Sequence, residues 1–298
     1  MKAKIRGTEI YFDVMGMQIA PNKKDLTEKP VLFMIHGGPG GNHLHFKFDS
    51  LKLQDYAQLI FIDQRGCGLS KKEKSSSYTL ENNIEDIEAL RKYLGFKKIN
   101  VLGVSYGGMV AQGYAIRYSK HIDNLILVAT SPSYHFIETA KDHLSRIGTK
   151  KQISICEKHL WNGNFKNNRE VDRYLKIMEP LYIYNKKKKR KTFSTKNIKS
   201  NGKIESVISY DVLNAGFNSF LHKYNFIPHL KKIKCPTLVM VGKHDWICRP
   251  QHSKIISDNI PDSILKIFNN CGHSVTTDVN EQYIKLIKKV LGKKKKEK

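Results

Sequence analysis

Ser105 stands in the segment Leu102-Gly103-Val104-Ser105-Tyr106-Gly107-Gly108, a G-x-S-x-G pattern. An apolar β-type run precedes it (Ile99 to Val104) and a helix-compatible run follows it (Met109 to Tyr118). That context predicts a strand-to-helix turn too tight for Cβ atoms on either side. Gly103 and Gly107 permit the close backbone approach, and Ser105 Oγ is left clear of the sheet. A hydroxyl so placed attacks a carbonyl carbon when a base takes its proton, an acid orients that base and N–H donors hold the oxyanion.

Each of these has a candidate beyond an apolar run. Thr237 to Gly242 leads into Lys243-His244-Asp245, which makes Asp245 the candidate acid; the stretch Thr130-Ser131-Pro132-Ser133 after the preceding run contains none. Ile264 to Phe268 leads into Asn269-Asn270-Cys271-Gly272-His273-Ser274, which makes His273 the candidate base. Of twelve histidines it alone combines a position after a strand with a following terminal helix. His244 competes, but as a sequence neighbour of Asp245 its side chain points away from it. For the oxyanion, one N–H is that of Tyr106. The second belongs to the loop His36-Gly37-Gly38-Pro39-Gly40, with Gly38 favoured and Gly37 next. His36 is expected to hold that loop in shape rather than to do chemistry.

The elements that must position these groups are legible as alternating runs. Lys2 to Ile5 and Ile10 to Val14 read as a short antiparallel start. Val31 to Ile35, Leu59 to Asp63, Ile99 to Val104 and Leu125 to Ala129 are continuous apolar runs, as suits parallel strands covered on both faces. Between them Ile84, Ile87, Leu90 and Leu94 share one face of a helix predicted over Leu80 to Leu94, with Thr79 placed to cap it and Gly95 to close it. The alternation resumes with Thr237 to Val241, a helix near Gln251 to Ser257, a strand Ser263 to Phe268 and a helix near Asn280 to Leu291. The whole predicts an open, mostly parallel, doubly wound α/β sheet whose functional groups gather at the carboxyl ends of strands. Residues 1–130 and 231–292 read as its two parts. Residues 131–230 read as a helical insertion (Phe136 to Ile147, Ile153 to Trp161, Val171 to Tyr182), and 293–298 as a basic tail.

The bulk properties narrow the class. The chain has 298 residues, 40% of them apolar, enough for a substantial core. No run approaches the length needed to cross a bilayer. Met1 to Arg6 is followed by Gly7-Thr8-Glu9 rather than an apolar run, so no signal peptide is expected and a cytoplasmic setting is. Five scattered cysteines without a C-x-x-C suit a reducing compartment and argue against a zinc site or a disulfide framework; Cys248 and Cys271 fall in loops expected to converge. The formal charge of +25 concentrates at Lys186 to Lys191 and Lys293 to Lys298. No nucleic-acid module accompanies it, so these runs are expected to be solvated, with neither nucleic acid nor membrane as partner. Oligomeric state is not readable.

Taken together, His36 to Gly40 (HGGPG), Asp63 to Ser70 (DQRGCGLS) and Gly103 to Gly108 (GVSYGG) resemble the proline iminopeptidase family of α/β-hydrolases, as do the segments ending in Asp245 and around His273. The chain order Ser, Asp, His is the one expected of that fold. The resemblance implies release of an N-terminal residue, often proline, from peptides by acyl transfer through Ser105, with His273 moving the proton, Asp245 orienting it and a helical cap shaping the pocket. It implies no cofactor or metal. Asp63 and Arg65 are expected to be a structural pair bracing the active-site loops rather than to do chemistry. An aminopeptidase must hold a protonated amine, which calls for carboxylates. Family members tend to carry a glutamate late in the cap; here the segment Asp211 to Phe220 offers only Asp211, with Glu138, Glu179 and Glu205 as further candidates. Without such a carboxylate, an ester or lactone becomes the better substrate.

Overall fold

Residues 1–22, 25–185 and 208–292 are described by a computed structural model. The lysine-rich stretches 186–191 and 293–298, and Glu205, lie outside them.

The apolar runs assemble into one eight-stranded sheet in the order β1-β2-β6-β5-β7-β8-β9-β10. These are β1 (Lys2–Ile5), β2 (Thr8–Met15), β5 (Val31–Ile35), β6 (Gln58–Ile62), β7 (Ile99–Val104), β8 (Ile122–Val128), β9 (Thr237–Gly242) and β10 (Ser263–Phe268); β3 (Ile19–Asn22) and β4 (Asp25–Glu28) form a separate hairpin. Strands β1 and β2 are antiparallel, and the six from β6 to β10 run parallel. Alternation within a buried run decides which side chain faces which layer. From β5, Phe33 and Ile35 join the core beneath α2 (Leu80–Tyr93), α3 (Tyr106–Tyr118) and α8 (Pro250–Asn259). Leu32 and Met34 join the opposite core, with Phe46 of α1 (Leu44–Ser50) and with Tyr283, Ile284 and Ile287 of α10 (Asn280–Leu291).

The local signals act as the sequence predicts at α2. Thr79 Oγ1 accepts from the Asn82 amide at 3.0 Å, and Gly95 follows the last turn in the left-handed region at φ +76°. Between β8 and β9 lie α4 (Phe136–Ile147), α5 (Lys150–Ile155), α6 (Asn168–Tyr182) and α7 (Tyr210–Phe217). The helix predicted over Ile153 to Trp161 starts earlier, because Thr149 and Gln152 form a reciprocal capping box, and it widens into a π-turn over Cys156–Leu160. All five cysteines are buried and none forms a disulfide, Cys248 and Cys271 included.

Chain order reverses between β5 and β7: β6 lies to one side of β5, while β8, β9 and β10 extend beyond β7. A crevice opens at the carboxyl ends of strands at such a switch point. Its first loop is braced by His36, which is fully buried. Nε2 accepts from the Gln64 amide at 3.1 Å, so Nδ1 carries the proton and donates to the Gly37 carbonyl at 2.8 Å.

Asp63 and Arg65 do not pair with each other. The chain bends at Arg65–Gly66 just past β6 and sends the two side chains to different neighbours. Asp63 Oδ1 accepts from the amide and Nδ1 of His43, both at 2.8 Å, and Oδ2 accepts from the Leu69 amide at 2.9 Å. Arg65 instead grips Asp86 of α2 with two parallel bonds of 2.9 and 2.8 Å.

Two expectations follow. Asp86→Ala strands the buried Arg65 guanidinium and is expected to cost about 3 to 5 kcal/mol in urea unfolding; a loss below about 1 kcal/mol would contradict this account. Burial pushes the His36 imidazole down to about 4 from its ordinary 6.5. The unfolded chain binds this proton at higher pH than the folded one, so the stability involved is full above about 6.5 and falls away toward pH 4. Unfolding free energies between pH 7 and 4.5 should show that decline, and His36→Asn should shallow it.

Candidate active site

Strand β7 ends at Val104, α3 begins at Tyr106, and Ser105 joins them at φ 54°, ψ −121°. A non-glycine residue there carries on the order of 1–3 kcal/mol of strain, so its surroundings must over-determine it. They do. The Ser105 amide donates to the Val128 carbonyl at 2.8 Å, and its own carbonyl accepts from the Gly108 amide and from Thr130 Oγ1, each at 2.8 Å. The turn is as crowded as its glycines predict: a Cβ on Gly103 would lie 2.2 Å from the Gly107 carbonyl oxygen, and one on Gly107 2.2 Å from that of Ile35.

Asp245 follows β9 and is fully buried. Its Oδ1 accepts from the amides of Ile247 and Cys248 at 3.0 and 2.9 Å, and Oδ2 meets His273 Nδ1 at 2.8 Å. A carboxylate only accepts, so Nδ1 bears the proton and Nε2 is the ring's basic nitrogen. His273 follows β10 and faces the same cavity as Ser105. No hydrogen bond joins Ser105 Oγ to the imidazole, a looseness common before a substrate is bound. His244, the competing histidine, is exposed and stacked on Tyr184 at 4.5 Å, outside that cavity.

The loop after β5 passes directly over the serine. A Cβ on Gly37 would lie 3.0 Å from Ser105 Cβ, and Gly38, at φ +130° before a cis bond to Pro39, has no room for a side chain. The amides of Gly37, Gly38 and Tyr106 donate to no acceptor among the described residues. For Tyr106 that is the ordinary condition of a first-turn N–H, at the positive end of the helix dipole. Its side chain points into the core, where the hydroxyl accepts from Asn83 at 2.7 Å.

Above these groups is a cavity of ≈ 90 Å³, walled by Phe46, Leu160, Tyr174, Tyr182, Leu213 and Phe217 among others. No aspartate, glutamate, lysine or arginine lines it among the described residues. Asp211, the carboxylate offered by the sequence, does not line this cavity. Leu213 and Phe217, four residues apart, put one face of α7 into the cavity, and Asp211, two before Leu213, falls roughly 200° round the helix. It lines a separate surface hollow with Tyr78, Thr79 and Asn218. Glu138 and Glu179 are exposed, away from the cavity. Tyr174 and Tyr182, whose hydroxyls pair at 3.0 Å, escaped the sequence reading as wall residues. Their spacing of two helical turns in the predicted Val171 to Tyr182 helix is the signal that carries them.

Comparison with known proteins agrees with this architecture. A family model described as the alpha/beta hydrolase fold matches residues 30–277. The chain is 32% identical over 296 residues to the proline iminopeptidase PfmaB of Pestalotiopsis fici, covering 95% of this chain and 99% of that one. It is 30% identical over 300 residues to a proline iminopeptidase of Lactobacillus helveticus, covering 97% and 96%. Among solved structures, an alpha/beta fold family hydrolase from Bacillus anthracis aligns at a TM-score of 0.74 with 20% identity, covering 97% and 98%. The proline iminopeptidase of Mycobacterium smegmatis aligns at 0.72 with 18% identity, covering 98% and 97%. With the strand-to-helix serine, the HGGPG loop and near-complete coverage of such relatives, the chain belongs to the proline iminopeptidase family of α/β-hydrolases.

Proposed function

We propose that the chain is a serine hydrolase that releases an N-terminal residue of the proline type from small peptides through an acyl-enzyme. The observation that carries this is the His273–Asp245 bond, which fixes the imidazole tautomer at the cavity into which Ser105 projects. Ser105 Oγ attacks the scissile carbonyl carbon while His273 Nε2 takes the hydroxyl proton, and the Asp245 carboxylate balances the imidazolium. The amides of Tyr106 and Gly38, with Gly37 beside them, receive the oxyanion. Collapse expels the leaving amine with the proton from His273, and water activated by the same nitrogen then releases the acid. Helices α4 to α7, within residues 131–230, form the cap over a core built from 1–130 and 231–292. The setting is read as cytoplasmic, since five buried cysteines without a disulfide suit a reducing compartment.

A second reading, a carboxylesterase or lactonase with the same triad, is favoured by the cavity wall itself. A protonated amine brought there meets aromatic and aliphatic groups and no carboxylate among the described residues, at a desolvation cost of several kcal/mol. An ester or lactone brings no such charge.

Ser105→Ala is expected to lower kcat by on the order of 10⁴-fold or more and to abolish labelling by a fluorophosphonate; unchanged turnover would end the assignment. Asp245→Asn should keep the geometry but lose the tautomer, with a fall in kcat of about 10⁴-fold. Comparing kcat/KM for proline p-nitroanilide and p-nitrophenyl butyrate separates the two substrate readings. Turnover of the ester alone would remove the peptidase.

A further inference from the structure

The amides on either side of His273 are both held by groups that also hold the end of α6. On one side, the Gly272 amide donates to Asp278 Oδ2 at 2.8 Å. On the other, the Ser274 amide donates to the Tyr182 carbonyl at 2.9 Å. Asp278, buried at the end of a short helix α9 (Val275–Asp278), does more than this. Its Oδ2 also accepts from the Tyr184 amide at 2.9 Å, and Oδ1 accepts from the Asn185 amide at 3.0 Å. Among the described residues, one carboxylate therefore gathers three backbone N–H groups from two chain segments far apart in sequence. An anion does this well, since it offers about four acceptor sites and no proton, and bonds to it are charge-assisted.

The clamped segment reaches the chemistry from the other side as well. The Tyr182 ring stands edge-on to the His273 imidazole, 5.4 Å between centroids at 74°, and also lines the cavity. The backbones are packed so closely that a Cβ on Gly272 would lie 2.9 Å from the Tyr182 carbonyl oxygen.

We infer that Asp278 is a positioning residue for His273, a clamp that fixes the imidazole's loop to the end of α6 so that cavity wall and base move as one body. The inference rests on the reading of His273 as the base. Asp245 sets the tautomer of the ring and its tilt about one bond; it does not fix the backbone from which the ring is hung. Asp278 does, without touching substrate. A small displacement of that backbone is felt in the proton-transfer step more than in binding, because the wall contributed by Phe46, Leu160, Leu213 and Phe217 lies on other segments and stays where it is.

Asp278→Asn tests this, since it keeps the volume but turns an NH₂ toward an N–H and removes the charge. With p-nitrophenyl butyrate as substrate, kcat is expected to fall about ten- to a hundred-fold with KM within about two-fold, and the rate of Ser105 labelling by a fluorophosphonate to fall in proportion. A rise in KM with kcat held, or no change in either, overturns the clamp. Should Asp278→Asn not fold, Gly272→Ala pushes the two segments apart without altering the carboxylate, and the same kcat-selective loss is expected. If neither variant folds, the clamp supports the fold rather than the imidazole and the inference fails. Wild-type protein that neither labels nor turns over ester or proline p-nitroanilide would instead defeat the serine-hydrolase reading itself.

Discussion

The arrangement depends on a steric constraint at one turn. To pass from β7 into α3 within a single residue, the backbone must bring Gly103 against Gly107 and Gly107 against the end of β5, closer than any side chain allows. That crowding holds Ser105 in a conformation an L-residue otherwise avoids, and it seats the start of α3 beside the loop that follows β5. The candidate nucleophile and the candidate N–H donors are thus products of the same packing event. The strain at Ser105 is offset by hydrogen bonds on both sides of its peptide and by the sheet around it.

Much of this was legible in the chain, for identifiable reasons. Strands buried on both faces read as nearly unbroken apolar runs, so β5 and β7 fall where the sequence puts them. The loops after β7, β9 and β10 carry the three candidate residues, because a parallel sheet delivers its carboxyl-end loops to one rim. What escaped was short or set by distant partners. Helix α1 spans seven residues, too few for a periodic pattern, and yet Phe46 reaches the cavity from it. The partners of Asp63 and Arg65, His43 and Asp86, lie on distant segments that spacing alone does not reveal. Asp211 was chosen for its charge, whereas the helical face is decided by Leu213 and Phe217.

Among the described residues, the helices between β8 and β9 bring aromatic rather than ionic side chains to the cavity. Tyr174 and Tyr182 satisfy each other's hydroxyls and so present an uncharged wall. An amine-binding function and an acyl-binding function differ, on this scaffold, by what that wall offers to the group held above the serine. Burial beneath such a wall also strengthens each electrostatic contact below it, the His273–Asp245 bond included.

The sheet ends in two open edges, β1 and β10. Along β10, Ile264 and Ile267 are exposed, a combination that invites strand addition by another molecule. Lys266 is exposed between them, and β1 presents Lys4 outward in the same way. A neighbour docking edge to edge would have to press ammonium groups together and strip their water. Part of this chain's surplus of positive charge therefore works as insulation, keeping a long and partly greasy sheet from growing beyond its eighth strand.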